Sequence, residues 1–425
     1  MPNAAHSPDV DVLVVGGGPA GVAAGITARR AGLDVAIVDK AVFPRDKCCG
    51  DGLTTLALRE LEAIGFQPES VPSFQVVDGA DIRAPGGRTV TVPLPTGRGV
   101  FAAVTPRIEL DAALVELAVA EGVTVHQGSA VKDVTPIESV VLVDCEGLGV
   151  VRARHVIAAD GMWSPVRKAL GLNVDGYLGE WHAFRQYVSG VTGAASKRLI
   201  VWFDEDFLPG YAWSFPLPDG RANVGFGILR ATGRRTQDMK ATWAGFFDRP
   251  HIAAALGPDA APEGRHQAWP IPARIDSATL SSGRTLFVGD AAGATDLMTG
   301  EGIGQALLTG RLAAEAIAAN PRGEPAATAA RYERAVRHDL VADHRMSVLL
   351  GRVLAHRRGA DGSVAILDHA GSWGRRNFAR WMFEDEPRSI ITTPRRWHRR
   401  FLDRPGAFRT AFSGHAGRVT GPARD

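Results

Sequence analysis

Cysteine is nearly absent: Cys48, Cys49 and Cys145 are the only three in 425 residues. So sparse and odd a set excludes a disulfide scaffold and fits a reducing compartment. A dominant sign of charge is missing too. Forty-eight Lys and Arg stand against 46 Asp and Glu, a formal net of +2, which excludes a dedicated nucleic-acid binder. No apolar run approaches the roughly 18 residues that a membrane-spanning helix needs. The opening MPNAAHSPD is polar and lacks the apolar core of a signal peptide, so a cytoplasmic protein is expected. The 12 histidines show no HxH or HxxxH spacing, and His182, His251 and His266 are scattered, so no metal site is expected. Internal repeats and long low-complexity linkers are lacking as well. What is left is an ordinary globular composition, 45% hydrophobic and 22% charged, at a length that usually divides into two or three lobes.

The first informative stretch is a βαβ opening. DVLVV (11–15) is a short apolar run suited to a buried parallel strand. GGGPAG follows, then an alanine-rich helix stopped at Gly32, then the strand DVAIVD (34–39). Gly16-x-Gly18-x-x-Gly21 therefore sits between strand and helix, the context in which this motif cradles a dinucleotide. Gly16 permits the tight turn, Gly18 lets a pyrophosphate approach the backbone, and Gly21 allows close helix–strand packing. The helix N-terminus supplies N–H donors and dipole. Asp39, at the end of the second strand, is placed to bind ribose hydroxyls.

A second signature decides which dinucleotide. TLFVGDAAG ends a strand with Gly289-Asp290, and Thr299-Gly300-Glu301-Gly302-Ile303-Gly304 opens the next helix. A carboxylate there can hold a ribityl chain, and the helix N-terminus can face the N1/C2 carbonyl edge of a flavin. A third element, Ala159-Asp160-Gly161 with Ser164 and Arg167, closes another insertion. Three such elements so far apart fit one extended cofactor, FAD. NAD alone does not span them.

With these motifs in place the sequence resembles the geranylgeranyl reductase family, within the aromatic-hydroxylase-like flavoproteins. The resembling segments include FPRDKCCGDGL (43–53), TPRIELDAAL (105–114), AADGMWSPVRKALG (158–171), PGYAWSFPLPDGRANVGFGI (209–228) and LFVGDAAGATDLMTGEGIGQAL (286–307), covering the chain from residue 10 to about 320. FPRDKxCGDG and YxWxFP are the narrower signals. The related halogenases carry WxWxIP, from which Tyr211-Ala-Trp213-Ser-Phe215-Pro216 departs at two positions. The resemblance implies reduction of carbon–carbon double bonds in a polyprenyl chain, such as that of geranylgeranyl diphosphate, archaeal lipid precursors or menaquinone. The rival enzyme reading is an FAD-dependent monooxygenase or halogenase acting on an aromatic or polyketide-like substrate; a flavin-binding redox sensor is the non-enzymatic one. A second Rossmann fingerprint is absent, so the electron donor is expected to be transiently bound NAD(P)H or a ferredoxin.

The resemblance places Cys49 beside the flavin, as a proton donor or as a small inert residue beneath the ring. Cys48 and Cys49 are expected to be free thiols. Tyr211, Trp213 and Phe215 alternate, which puts them on one strand face, either a prenyl-tunnel wall or a core face. Arg107 is implied to contact the flavin or its phosphates, against the alternative of a solvated first-turn arginine. Cys49, Tyr211 and Trp213 are thus the catalytic candidates. The cofactor candidates are Gly16, Gly18, Ala20, Gly21, Asp39 and Lys40; Cys49, Gly50 and Arg107; Asp160 and Gly161; and Gly289, Asp290, Gly300, Gly302 and Ile303. The basic, aromatic stretch 395–402 reads as a solvated end or as a patch that docks on anionic lipid.

The expected fold is α/β: a Rossmann-type FAD-binding lobe with an inserted antiparallel substrate-binding sheet and a helical C-terminus. Its parts are cofactor segments 8–72, 105–175 and 276–325, sheet segments 73–104 and 176–275, and a helical region 326–425. The strands of 180–275 are expected to form a sheet of their own, and 123–160 a small meander. An isoprenoid lipid is the expected small-molecule partner.

Overall fold

The computed structural model describes residues 8–230, 233, 236–392 and 403–409. Its main sheet runs in the order Ser281–Ser282, Thr285–Phe287, Gly149–Ala158, Val10–Val15, Val35–Asp39, Thr124–Gln127. From Thr285–Phe287 onward the pairs are parallel, with Val14 opposite both Ile37 and Ile157, and Ile157 opposite Leu286. Val12, Leu13 and Val14 are wholly buried, as a central parallel strand requires. The helix Pro19–Arg30 crosses Ile303–Ala318 closely enough that a Cβ on Gly310 would stand 2.0 Å from the Ala20 carbonyl oxygen.

The expected meander needs a correction at both ends: its first strand, Thr124–Gln127, pairs with Val35–Asp39 in the parallel sheet and, among the described residues, with no meander strand. Its strands Val131–Pro136 and Val141–Cys145 are antiparallel as read, but the last strand, Gly149–Ala158, has two duties. Its first half pairs with Val141–Cys145, and its second half is a core strand of the parallel sheet, delivering Asp160 beside the glycine turn. Ten residues are long enough for both partners.

The second sheet has seven strands in the order Ala261–Ile271, Trp181–Ser189, Arg221–Leu229, Tyr211–Leu217, Leu199–Trp202, Gly79–Arg83, Thr89–Pro93. The strands of 180–275 therefore do not form a sheet of their own: those of 73–104 extend it. Leu199–Trp202 meets Gly79–Arg83 in parallel, so the sheet is antiparallel except at that join. Strands supplied by distant segments need no hairpin, and nothing in their alternation sets their direction. Behind this sheet lie two helices, Thr236–Ala244 and Pro250–Leu256. Trp243, Phe246 and Ile252 bury against Phe184, Phe207 and Phe226.

The C-terminal part is helical as expected, with Pro325–Val336, Ala342–Leu354, Arg357–His369 and Gly371–Met382. The last two pack on Thr89–Pro93. The chain then turns at Glu384, in the left-handed region at φ 57°, and sends Arg388 into the protein, 2% exposed. The basic stretch 395–402 lies outside the described residues. Among the described residues no helix is long and apolar enough to cross a membrane.

Candidate active site

A cleft of about 990 Å³ lies between the two sheets. Its nucleotide end is built from the glycine turn. A Cβ on Gly16 would strike the Ala159 carbonyl oxygen at 2.3 Å, and one on Gly21 the Gly16 carbonyl oxygen at 1.8 Å. Both glycines are dictated by close backbone approach. Gly18 differs: its backbone is extended and a Cβ there would meet only Arg45 Nη2, at 3.8 Å. Among the described residues, the space beside Gly18 thus has room for an approaching group. Asp39 accepts hydrogen bonds from Gly17 N and Ala41 N, both at 2.7 Å, which fixes its carboxylate at the rim.

The donor set fits FAD. The helices Pro19–Arg30 and Ile303–Ala318 begin at Gly18 and Gly302, and neither has a side-chain cap, so first-turn N–H groups remain available to phosphate and to a ring carbonyl. Asp160 accepts from Val166 N at 2.9 Å through Oδ2, while its buried Oδ1 has no partner among the described residues. Burial pushes that carboxyl up to about 6. Lys47 Nζ stands 3.5 Å from Asp290 Oδ2. Of the proposed cofactor contacts, all but Gly21 line the cleft. Gly21 serves packing alone. Arg167, by contrast, binds the Ala291 and Thr279 carbonyls and ties two of these loops together.

The loop 43–53 forms the floor of the other end. Its charged run is pinned residue by residue: Arg45 to Asp111 at 2.7 Å, Asp46 to Arg185 at 2.8 Å, and Lys47 to Asp290. Tyr211, Trp213 and Phe215 share one face above it, with consecutive ring centroids 6.0 and 6.1 Å apart. A Cβ on Gly50 would come 3.4 Å from the Phe215 ring and 3.5 Å from Trp213 Nε1. Floor and wall are therefore in contact.

Asn223 joins them. It accepts from Trp213 Nε1 at 3.1 Å, and its Nδ2 lies 2.8 Å from both the Cys49 carbonyl oxygen and Asp51 Oδ2. Asp51, wholly buried and in the left-handed region at φ 66°, also accepts from Tyr187 Oη at 2.7 Å and Arg107 N at 3.2 Å. Burial pushes its carboxyl up to about 6 against those donors. Burial likewise pushes the thiols up, Cys49 to about 11 and Cys48 to about 12. Both are free. Burial thus favours the neutral thiol at Cys49 over the thiolate.

Arg107 is not a solvated arginine. It is 7% exposed, and its guanidinium grips Asp111 with two 2.7 Å hydrogen bonds while lining the cleft. The Thr299–Gly302 turn completes the site, and the C-terminal region supports it. Asp296 accepts from Thr299 N, Thr299 Oγ1 and Ser347 Oγ at 2.8, 2.8 and 2.6 Å, and from Arg388 Nε at 3.1 Å. The Tyr211 hydroxyl donates to the Thr299 carbonyl. Glu301 lines the cleft between Phe215 and this cluster.

The sequence reading did not single out Asp51, Asn223, Tyr187, Glu301, Glu384 or Arg388. The first two stand inside the motifs FPRDKCCGDGL and PGYAWSFPLPDGRANVGFGI, where Asn223, a polar residue in the apolar run ANVGFGI, was the one available signal. The last two follow no motif.

Three comparisons fit this geometry. The family model described as FAD binding domain matches residues 9–341. A menaquinone reductase of Mycolicibacterium smegmatis is 34% identical over 326 residues, covering 72% of this chain and 75% of that one. Digeranylgeranylglycerophospholipid reductase 2 of Methanopyrus kandleri is 33% identical over 317 residues, 73% and 77% of the two chains. The crystal structure of a geranylgeranyl bacteriochlorophyll reductase-like protein from Thermoplasma acidophilum superposes with a TM-score of 0.72 at 24% identity, over 85% of this chain and 91% of that one.

Proposed function

This chain belongs to the FAD binding domain family and, within it, to the geranylgeranyl reductase family; it is an FAD-dependent oxidoreductase, and from that membership we propose that it reduces carbon–carbon double bonds of a polyprenyl chain. The observation that supports this most is the meeting of the loop 43–53 and the strand Tyr211–Leu217 in one cleft, joined by Asn223. The relatives named for reductases of menaquinone and of an archaeal lipid agree with it.

Bound in reduced form, FAD supplies the hydride. The protein's own residues do the rest. The uncapped first turn after Gly18 holds the pyrophosphate, Asp39 the ribose, and Asp290 the ribityl chain. Tyr211, Trp213 and Phe215 present an aromatic face along which an isoprenoid chain lies, excluding water from the alkene. Cys49 fills the floor with a neutral thiol, and Gly50, lacking a side chain, lets that floor close against the aromatic wall. The substrate is an isoprenoid lipid, and the electron donor is NAD(P)H or a ferredoxin that does not stay bound.

The test is anaerobic addition of polyprenyl substrates, quinone-linked and lipid-linked, to dithionite-reduced holoenzyme. The expected result is flavin reoxidation and a product heavier by two hydrogens per bond reduced. Turnover that requires oxygen and adds an oxygen or a halogen transfers the protein to the monooxygenase or halogenase reading.

A further inference from the structure

Beneath the Thr299–Gly302 turn, the carboxyls of Asp296, Glu301 and Glu384 gather near the Arg388 guanidinium, which pairs with Asp296 and Glu384. They do not share donors equally. Asp296 takes hydrogen bonds from Thr299, Ser347 and Arg388, and from Met298 N at 3.1 Å. Glu384 takes Gln305 Nε2 at 2.7 Å, Thr54 Oγ1 at 2.8 Å and Arg388 Nη2 at 3.4 Å. The Glu301 carboxyl takes none from any described residue. Arg388 pairs with Asp296 and Glu384 and also faces Asp343, so its one charge is divided among several carboxylates, and poor solvation penalises the ionised form of each. The carboxyl without donors binds its proton most tightly, and burial pushes its neighbour Glu384 up to about 7 as well, so the two titrate as a pair.

The position of Glu301 makes that proton useful. Its side chain lines the cleft. Oε1 lies 3.5 Å from where a side chain on Gly52 would begin, a point that is itself 3.0 Å from the Phe215 ring. Glu301 is thus at the seam of floor and aromatic wall. Resting on the reductase reading above, we propose that Glu301 is a catalytic residue, the general acid whose carboxyl protonates the second carbon of the alkene.

The step balances. Reduced flavin provides a hydride, which forms one C–H bond and carries both reducing electrons. The alkene π pair forms the other C–H bond by taking the Glu301 proton. The flavin is left oxidised and Glu301 a carboxylate, which solvent reprotonates after product leaves. Burial, then the neighbouring Glu384 and Asp296, hold the Glu301 carboxyl at about 8, within reach of neutral pH, where a general acid works best. The other protons facing it are less suited. The Cys49 thiol is held at about 11, and burial lifts the Tyr211 hydroxyl above its ordinary range. Asp51 faces its own donors, Tyr187 and Asn223.

Two measurements on the FAD-loaded enzyme test this. In anaerobic single-turnover reoxidation by a prenyl substrate, Glu301→Gln is expected to slow the chemical step by about 100-fold or more, with Glu301→Asp recovering part of the loss. FAD content, measured first, shows that each variant is intact. Independently of turnover, infrared difference spectra of the oxidised enzyme are expected to show a protonated-carboxyl band that titrates away near pH 8 in the wild type and is missing from Glu301→Gln. A Glu301→Gln enzyme that holds FAD and turns over within a few-fold of a competent wild type overturns the proposal alone, as does a band titrating near pH 8 that survives the substitution. A wild type that reduces no prenyl substrate overturns the reductase reading and this proposal with it.

Discussion

The Asn223 amide donates from Nδ2 to the carbonyl oxygen of Cys49 at 2.8 Å, across 174 positions of sequence. The same amide group reaches Asp51, and its oxygen takes the Trp213 indole N–H. One side chain thereby sets the height of the floor against the wall.

Asn223→Ala is therefore expected to destabilise the protein by about 1–3 kcal/mol, the usual cost of leaving buried polar groups unpaired. Chemical denaturation of the holoenzyme measures it. Asp51, Cys49 and Trp213 each lose a partner, so an unchanged midpoint with unchanged slope would show that the join carries no energy.

Two glycines of one motif are expected to fail in different ways. Gly18→Val sets a Cβ 3.8 Å from its nearest non-adjacent neighbour, Arg45 Nη2, so the variant is expected to fold, keep its circular dichroism and purify without flavin. Gly21→Val drives a Cβ toward the Gly16 carbonyl at 1.8 Å and prevents the helix from packing, so it fails to yield soluble protein. A folded Gly18→Val holding a full complement of FAD would remove the pyrophosphate from this turn.

These glycines, Asp39 and the Gly289-Asp290 strand end were legible in the sequence because local backbone geometry demands those residue types at that spacing. Tyr211 and Trp213 were legible as an alternating pattern. Their connection to Cys49 was not, since Asn223 and Asp51 act through partners on other strands and a polar residue in an apolar run names no partner. Arg107 was placed at the cofactor, but its two hydrogen bonds to Asp111, four residues on, came only with the structure. The parallel join of Gly79–Arg83 with Leu199–Trp202 was illegible for a similar reason: alternation reports burial, not strand direction. Glu384 and Arg388 lie in the region without motifs, and only the packed fold brings them under the Thr299–Gly302 turn.

Stability should depend on pH through Glu301. Its carboxyl is raised in the folded protein from 4.5 to about 8, by burial and then by Glu384 and Asp296. A raised acid binds its proton more tightly folded than unfolded, so its contribution is full below 4.5 and is lost as pH rises through about 8. The melting temperature of the wild type minus that of Glu301→Gln is thus expected to fall across this window and level off above it. A difference that stays flat from pH 4.5 to 8 would place an ionised carboxylate at this position in the folded protein.

Cys49 and Trp213 complete the set, and their variants separate positioning from proton delivery. Cys49→Ala removes a thiol that burial holds neutral at about 11 and leaves the Asn223 hydrogen bond to its backbone carbonyl in place. FAD binding should survive. With Glu301 as the acid, single-turnover reoxidation slows by less than the roughly 100-fold that marks loss of a general acid, and the rate keeps the wild-type pH profile. A loss of about 100- to 10,000-fold with a flattened profile would instead make the thiol the donor. Trp213→Ala removes wall rather than floor. The flavin spectrum should persist while substrate binds more weakly, because the aromatic face along the isoprenoid chain is interrupted between Tyr211 and Phe215. The informative contrast is Trp213→Phe, which keeps a ring but frees Asn223 Oδ1 from its 3.1 Å partner. If Trp213→Phe restores substrate affinity yet remains slow in the chemical step, the indole N–H acts by holding Asn223, and through it the height of Cys49. If it restores both, the ring surface is the whole of the contribution of Trp213, and the join at Asn223 matters for stability alone.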